Sequence, residues 1–252
     1  METSRYQACL AHDAARLREA AGGHLDLPVP SCPGWTVADL VVHTAMVYQH
    51  KTECIRRHEF PRPWPPPATG EEPIEMFDRS LAELLAEFEK HEPTDSAATW
   101  YPPDQSVGFW IRRMAQETVI HRVDAELAIG EVTAIPSDLA VDGIDEVLGI
   151  FLGWGSIEAI RREGPDSWPA LARADERVVV VRGDDFGWSV LPTPTGVQVS
   201  PGVTPDPAAT VSGDPVDILL WLWRRAGDDN LTVWGDVGPV SLLHDLMNTA
   251  TQ

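Results

Sequence analysis

Glu117 and His121 lie four residues apart in the stretch from Phe109 to Ala128. On a helix this spacing sets a carboxylate and an imidazole about 6 Å apart on one face, close enough to grip one ion. Stepping by alternate fours and threes, Trp110, Met114, Glu117, His121, Asp124 and Ala128 share a single stripe, the pattern of a buried helix face. The ends of the stripe are apolar, but its middle carries three ionisable groups, which are costly to bury without compensation. A metal ion would compensate them. His43, between Leu40 and Val47 on the apolar stripe of an earlier helix, is the best third donor. Two histidines and one carboxylate leave a position open for water or substrate, the pattern of a catalytic zinc site. The same set also suits nickel, cobalt or iron. The competing reading needs no ion: Glu117 pairs with an arginine and His121 is a satisfied core histidine.

Helices must bring these residues together. Residues 4–21 read as a first amphipathic helix, with Tyr6, Leu10, Ala14 and Leu17 as its apolar row and Gly22-Gly23 as its stop. Thr36, with Asp39 three residues on, reads as the N-cap of a second helix over 37–58. Leu40, His43, Val47, His50 and Cys54 share its stripe, so His50 is a candidate fourth ligand. Phe60 to Pro67 is too rich in proline for helix or central strand and reads as a surface connection. A third helix spans 73–91, burying Phe77, Leu81, Leu84, Leu85 and Phe88, and the fourth follows Tyr101-Pro-Pro103. Four such helices fit a bundle. In up-down-up-down order, helices two and four run parallel, with His43 and the Glu117–His121 pair at similar depths at roughly 1.5 Å per residue.

Beyond the bundle the pattern changes. Ser137 reads as the cap of a fifth helix over 138–161, taken as a bridge between a helical domain, 1–160, and a second domain, 170–252. Strand-like runs follow at 178–181, 187–191, 196–200 and 209–212, then a helix from Asp214-Pro215 through Arg225, a short strand at 231–234 and a last helix over 237–248. The expected class is α+β: a four-helix bundle, then a small α/β domain.

Composition narrows the function. A formal charge of −20 over 252 residues disfavours nucleic acid as a partner. No apolar run is long enough to span a membrane, and the N-terminal Met-Glu-Thr-Ser-Arg has no secretion-signal pattern. Cys9, Cys32 and Cys54 form neither a disulfide framework nor a zinc knuckle, and reduced thiols in a cytoplasm are the plain expectation. No phosphate-binding glycine loop or nucleophile motif is visible. Cys32, Trp35 and Trp110 read as packing residues, Cys32 having a second reading as a participating thiol and either tryptophan also being placed to wall a pocket.

Three segments carry a resemblance. Cys32-Pro-Gly-Trp-Thr-Val-Ala-Asp-Leu-Val-Val-His43, Phe109 through Glu126 and Ala140-Val-Asp-Gly-Ile-Asp-Glu146 resemble the mycothiol-dependent maleylpyruvate isomerase family of actinobacteria. Leu222 through Arg225 and Val233 through Asp236 extend the likeness over nearly the whole chain. The resemblance implies a DinB-like four-helix bundle with a small α/β C-terminal domain, and a metal triad at His43, Glu117 and His121. It implies an arginine near the active site, which Arg225 matches best; Arg224 stands where the family often has glycine. It further implies mycothiol held as a thiolate on zinc. The thiolate would add to an activated double bond, permit rotation and leave, giving cis–trans isomerisation, or would transfer to an electrophile. Arg225 would pair with a substrate carboxylate, and Asp124 would accept a hydrogen bond from His121 or pair with Arg122 on the helix surface. The expected partners are a small-molecule substrate and a low-molecular-weight thiol, on a monomer or homodimer. The alternative from another class is a non-enzymatic metal- or small-molecule-sensing protein, which a closed four-ligand sphere including His50 or a cysteine would favour.

Overall fold

The computed structural model describes residues 1–67 and 70–251. These divide into two compact units, Met1–Ala134 and Ile135 onward.

The first unit is a bundle of α1 (Thr3–Ala21), α2 (Val37–Arg57), α3 (Pro73–Phe88) and α4 (Val107–Ile129). Local chemistry sets the boundaries of the two site-bearing helices. Thr36 and Asp39 cap α2 reciprocally, each side chain accepting from the other's backbone N–H, at 3.2 and 2.9 Å. Ser106 Oγ accepts from Phe109 N–H at the start of α4, and Gly130 ends that helix with φ +78°. The expected α1 row of Tyr6, Leu10, Ala14 and Leu17 is buried. On α3, Phe77, Leu84 and Phe88 are buried, whereas Leu81 and Leu85 are only half-buried. Helix α4 is central: Trp110, Met114, Ala115, Thr118, Arg122 and Asp124 are all fully enclosed although they point in different directions.

The helix directions differ from the expected order. Asp13 faces Arg122 and Arg16 faces Glu126, so α1 runs with α4. Gln49 donates to Ser80 and Arg56 to Glu87, so α2 runs with α3. His43 lies beside Glu117, whereas Lys51, two turns later, lies over Trp110, so α2 runs against α4. The order is therefore up-down-down-up, and α2 and α4 are antiparallel. Two consecutive parallel helices need a connection that returns along the bundle. Residue 58 to residue 72 supplies it: α2, with 21 residues, is about 31 Å long, and proline-rich chain rising about 3 Å per residue covers that distance. From Phe60 to Pro67 this segment is exposed, apart from buried Pro61 and half-buried Trp64.

A charged cluster is enclosed between α1 and α4. Arg122, buried, donates to Glu126 at 2.8 Å and to Thr133 O at 2.8 Å, and lies 3.2 Å from Asp13. Burial pushes the Asp13 carboxyl up to about 6, against the pull of Arg122. A carboxyl that holds its proton more tightly folded than unfolded costs stability as pH rises from about 4 to about 6. The wild-type curve of unfolding free energy minus that of Asp13→Asn is thus expected to fall across that window; urea titrations at several pH values read it, and a flat difference would refute the assignment.

In the second unit, α5 (Ser137–Glu146) continues through a π-helical stretch, Val147–Trp154, into α6 (Gly155–Glu163). Pro136, not Ser137, occupies the cap position, and no side chain caps this helix. The segment is not a bridge. It packs on the sheet and on α7 (Pro215–Leu222), Val197 N–H donates to Ser156 Oγ at 2.9 Å, and Trp188 Nε1 donates to Asp145 at 3.0 Å. At Gly196, φ +135°, a Cβ would come within 2.5 Å of Ile157 Cγ1, so strand and helix meet too closely for any larger residue. The division of the chain consequently falls at Ala134–Ile135, before the fifth helix rather than after it.

Strands β1 (Val179–Arg182), β2 (Gly187–Thr193), β3 (Gly196–Pro201), β4 (Ala209–Ser212) and β5 (Thr232–Gly235) form one sheet in the order β3-β2-β1-β4-β5. Only β1 and β4 pair in parallel, Val180 opposite Thr210. Helix α8 (Val237–Ala250) ends the chain. Helix α7 stops at Leu222, short of Arg225. Arg224 N–H donates to Trp221 O and Arg225 N–H to Leu220 O, with Arg224 at φ +62°. This is a Schellman turn, whose left-handed position glycine fills without strain. Its cost to a residue with a Cβ is about 1 kcal/mol. Arg224→Gly is expected to stabilise this unit by roughly 0.5–1 kcal/mol, read as a higher urea midpoint at unchanged slope.

Candidate metal centre

The antiparallel pairing of α2 and α4 sets His43, in the second turn of its helix, level with the middle of α4. His121 Nε2 lies 3.2 Å and His43 Nε2 3.5 Å from the same oxygen, Oε1 of Glu117. The two imidazole rings meet edge to face at 5.0 Å, and one donor atom from each of the three residues falls within 4.8 Å of the others. The His121 and Glu117 side chains are 12% and 16% exposed, whereas that of His43 is 39% exposed. His43 stands at the margin of the bundle, not inside it, and the cluster is reached from that side. The ring of Trp35, half-buried, lies 4.9 Å from that of His43.

Other residues hold the donors. His121 Nδ1 is 2.9 Å from Asp124 Oδ2, and Asp124 is buried. Ser31 donates to the other oxygen of Asp124, and Cys32 Sγ lies 3.7 Å from Oδ2. The loop before α2 therefore orients a histidine on α4, and Cys32 touches this network rather than merely filling space. With Nδ1 engaged by Asp124, Nε2 is the ring nitrogen turned toward Glu117. The second oxygen of Glu117, Oε2, accepts from Arg113, itself buried one turn earlier. The arginine pairing and the convergence on the histidines thus coexist, one on each carboxylate oxygen. The Arg113 to Glu117 spacing was visible in the sequence; the burial of Arg113, which makes the pair matter, was not.

Electrostatics follow from this geometry. Burial works to raise the Glu117 carboxyl, but Arg113 and then His121 outweigh it and hold it well below the usual carboxylate range. Burial works to lower His121, yet Glu117 and Asp124 push it up to about 9. Without an ion, the centre therefore holds a proton among its donors, which a cation would displace.

The residues fit a metal. Donor atoms about 2.0–2.1 Å from a tetrahedral ion lie roughly 3.4 Å apart, which the 3.2 and 3.5 Å separations match. The donor set is two imidazoles and one carboxylate, and His121 has its outer partner in place. His50 does not join it. Its Nδ1 lies 3.2 Å from Lys51 Nζ and 3.5 Å from Cys54 Sγ, its ring is 4.8 Å from that of Trp64, and burial and then Lys51 pull it down to about 4. Trp110 is a core residue, its Nε1 donating to Ala98 O at 3.1 Å. Arg225 belongs to the second unit, where Nη1 donates to Trp223 O at 2.7 Å.

A four-helix bundle in which two histidines and a carboxylate converge on one point, followed by a mixed-sheet unit, defines a two-unit protein with a candidate cation site in its helical unit. A family model for the mycothiol maleylpyruvate isomerase N-terminal domain matches residues 7–126, and one for the MDMPI C-terminal domain matches residues 138–241. The chain belongs to the mycothiol-dependent maleylpyruvate isomerase family, a family of enzymes. The crystal structure of a mycothiol-dependent maleylpyruvate isomerase has the same fold: it is 15% identical with a TM-score of 0.58, over 92% of this chain and 93% of that one. A histidine-to-alanine mutant of a mycothiol-dependent maleylpyruvate isomerase aligns over the same shares at 15% identity with a TM-score of 0.59. No curated protein matches the sequence. No helix among the described residues is long and apolar enough to cross a membrane.

Proposed function

We propose that this protein is a mycothiol-dependent cis–trans isomerase of small electrophilic acids, with a divalent metal ion held by His43, Glu117 and His121. The observation that carries the reading is the convergence of two imidazole Nε2 atoms on one glutamate oxygen at tetrahedral spacing, in a chain whose two units both match this family. Zinc is the best match to the donor set, with nickel, cobalt and iron the competitors. A bound ion would supply the positive charge that keeps a thiol deprotonated at the open position.

The chain's own residues do the rest. Asp124, held by Ser31 and Cys32, fixes the His121 ring and its tautomer. The marginal position of His43 leaves the cluster accessible to a thiol. Arg225, whose backbone is tied to Leu220 O, is our assignment for the group that binds a substrate carboxylate. The thiol adds to the double bond, the resulting single bond rotates, and elimination returns the thiol, so none is consumed. Cys9, Cys32 and Cys54, none of them in a disulfide, suit a reducing cytoplasm.

Purified protein incubated with mycothiol and maleylpyruvate or related cis-enedioates is expected to isomerise them, and to stop when the metal is stripped. Absence of thiol-dependent turnover across such a panel would overturn the assignment. Losing a charged hydrogen bond costs about 1.5–3 kcal/mol, so Arg225→Met should lower kcat/KM by roughly 10–100-fold. Arg225→Lys should recover part of the loss; unchanged kinetics in both variants would remove Arg225 from the site.

A further inference from the structure

We infer that Arg113 is a positioning residue for the centre: by engaging Oε2 it restricts Glu117 to a single donor oxygen and so keeps a coordination position free. This rests on the reading above, that the triad holds an ion.

The two oxygens of Glu117 have separate partners. Oε1 faces both histidines, at 3.2 and 3.5 Å, while Oε2 is taken by the guanidinium of Arg113. A carboxylate ligates through one oxygen or both, and a second donor from Glu117 would occupy room that a thiol needs. Arg113 is 4% exposed along its side chain, so its guanidinium meets Oε2 largely shielded from solvent. Helix stabilisation is a poor reason for this pair, because an arginine placed one turn before a glutamate is the weaker of the two orientations. Burying a guanidinium is costly unless it has a defined charged partner. Arg113 also offsets the charge of Glu117, so that less of the ion's charge is neutralised before a thiol arrives. Lys51 also feels the charge of Glu117, but its ammonium lies against His50 Nδ1 and the face of Trp110.

Cobalt(II) is the probe, since its absorption bands distinguish four from five ligands through their position and intensity. Wild-type protein loaded with cobalt is expected to give strong four-coordinate bands. Arg113→Met, which frees Oε2, should show weaker bands shifted to the five-coordinate pattern, and Arg113→Lys should restore much of the wild-type spectrum. Arg113→Leu removes the same donor, so the comparison is made on whichever apolar variant keeps wild-type far-ultraviolet circular dichroism. An apolar variant with the wild-type cobalt spectrum overturns the inference. Failure of the underlying reading looks different: wild-type protein would take up no cobalt, or His43→Ala and His121→Ala would take up as much as wild type.

Discussion

His121→Ala is expected to empty the centre. Purified wild-type protein should carry close to one divalent ion per chain after dialysis, and the variant close to none. The cause is that His121 supplies one of three donors on α4 and α2, and that the remaining two, His43 and Glu117, sit on different helices with no short-range chelate between them. Disturbing an outer partner of a ligating histidine costs about 10–100-fold in affinity, so loss of the ligand itself should exceed that range. Asp124→Ala supplies the comparison: His121 then keeps its place on the helix but loses the acceptor at 2.9 Å, and affinity should fall within that range. His43→Ala should resemble His121→Ala in metal content, with an unchanged helical circular dichroism spectrum, because the His43 side chain is partly exposed at the bundle margin. Retention of the ion by both histidine variants would remove the triad as a metal centre.

Arg122→Ala should be the most damaging single substitution in the bundle. The guanidinium is 1% exposed and lies among Asp13, Glu126 and the carbonyl of Thr133. Removing one member of a buried charged network typically costs 3–5 kcal/mol, about the scale of a marginal domain's stability, because the partners stay buried without compensation. Asp13 would suffer most, since burial already pushes its carboxyl up to about 6 even with Arg122 beside it. Adding Asp13→Asn to Arg122→Ala should therefore return part of the loss, a coupling that a double-mutant cycle in urea measures. Additive effects of the two changes would show that the groups do not depend on each other.

Much of the local structure was legible in the chain. The Thr36–Asp39 capping box, the helix start at Asp214-Pro215, the four bundle helices and the candidate triad of His43, Glu117 and His121 all follow from side-chain type and spacing, because caps and i, i+4 pairs are interactions within a turn or two. The burial of α4 on nearly every side also left a trace, in the polar groups that interrupt its apolar stripe.

Helix direction could not be read in the same way. Periodicity marks which face is buried, but neither the neighbour it meets nor the sense in which that neighbour runs, and a long proline-rich connection is compatible with either order. Only the tertiary pairings of Asp13 with Arg122, Gln49 with Ser80 and Lys51 with Trp110 settle the up-down-down-up arrangement. Packing likewise assigns the fifth helix to the second unit, through Ser156 and the close approach of Gly196 to Ile157. The division of labour on Glu117 belongs to the same level. The sequence by itself placed a carboxylate one turn from a histidine; the burial of Arg113 and the approach of His43 from an antiparallel helix decided which oxygen faces which partner, since contacts between distant segments exist only once the chain has folded.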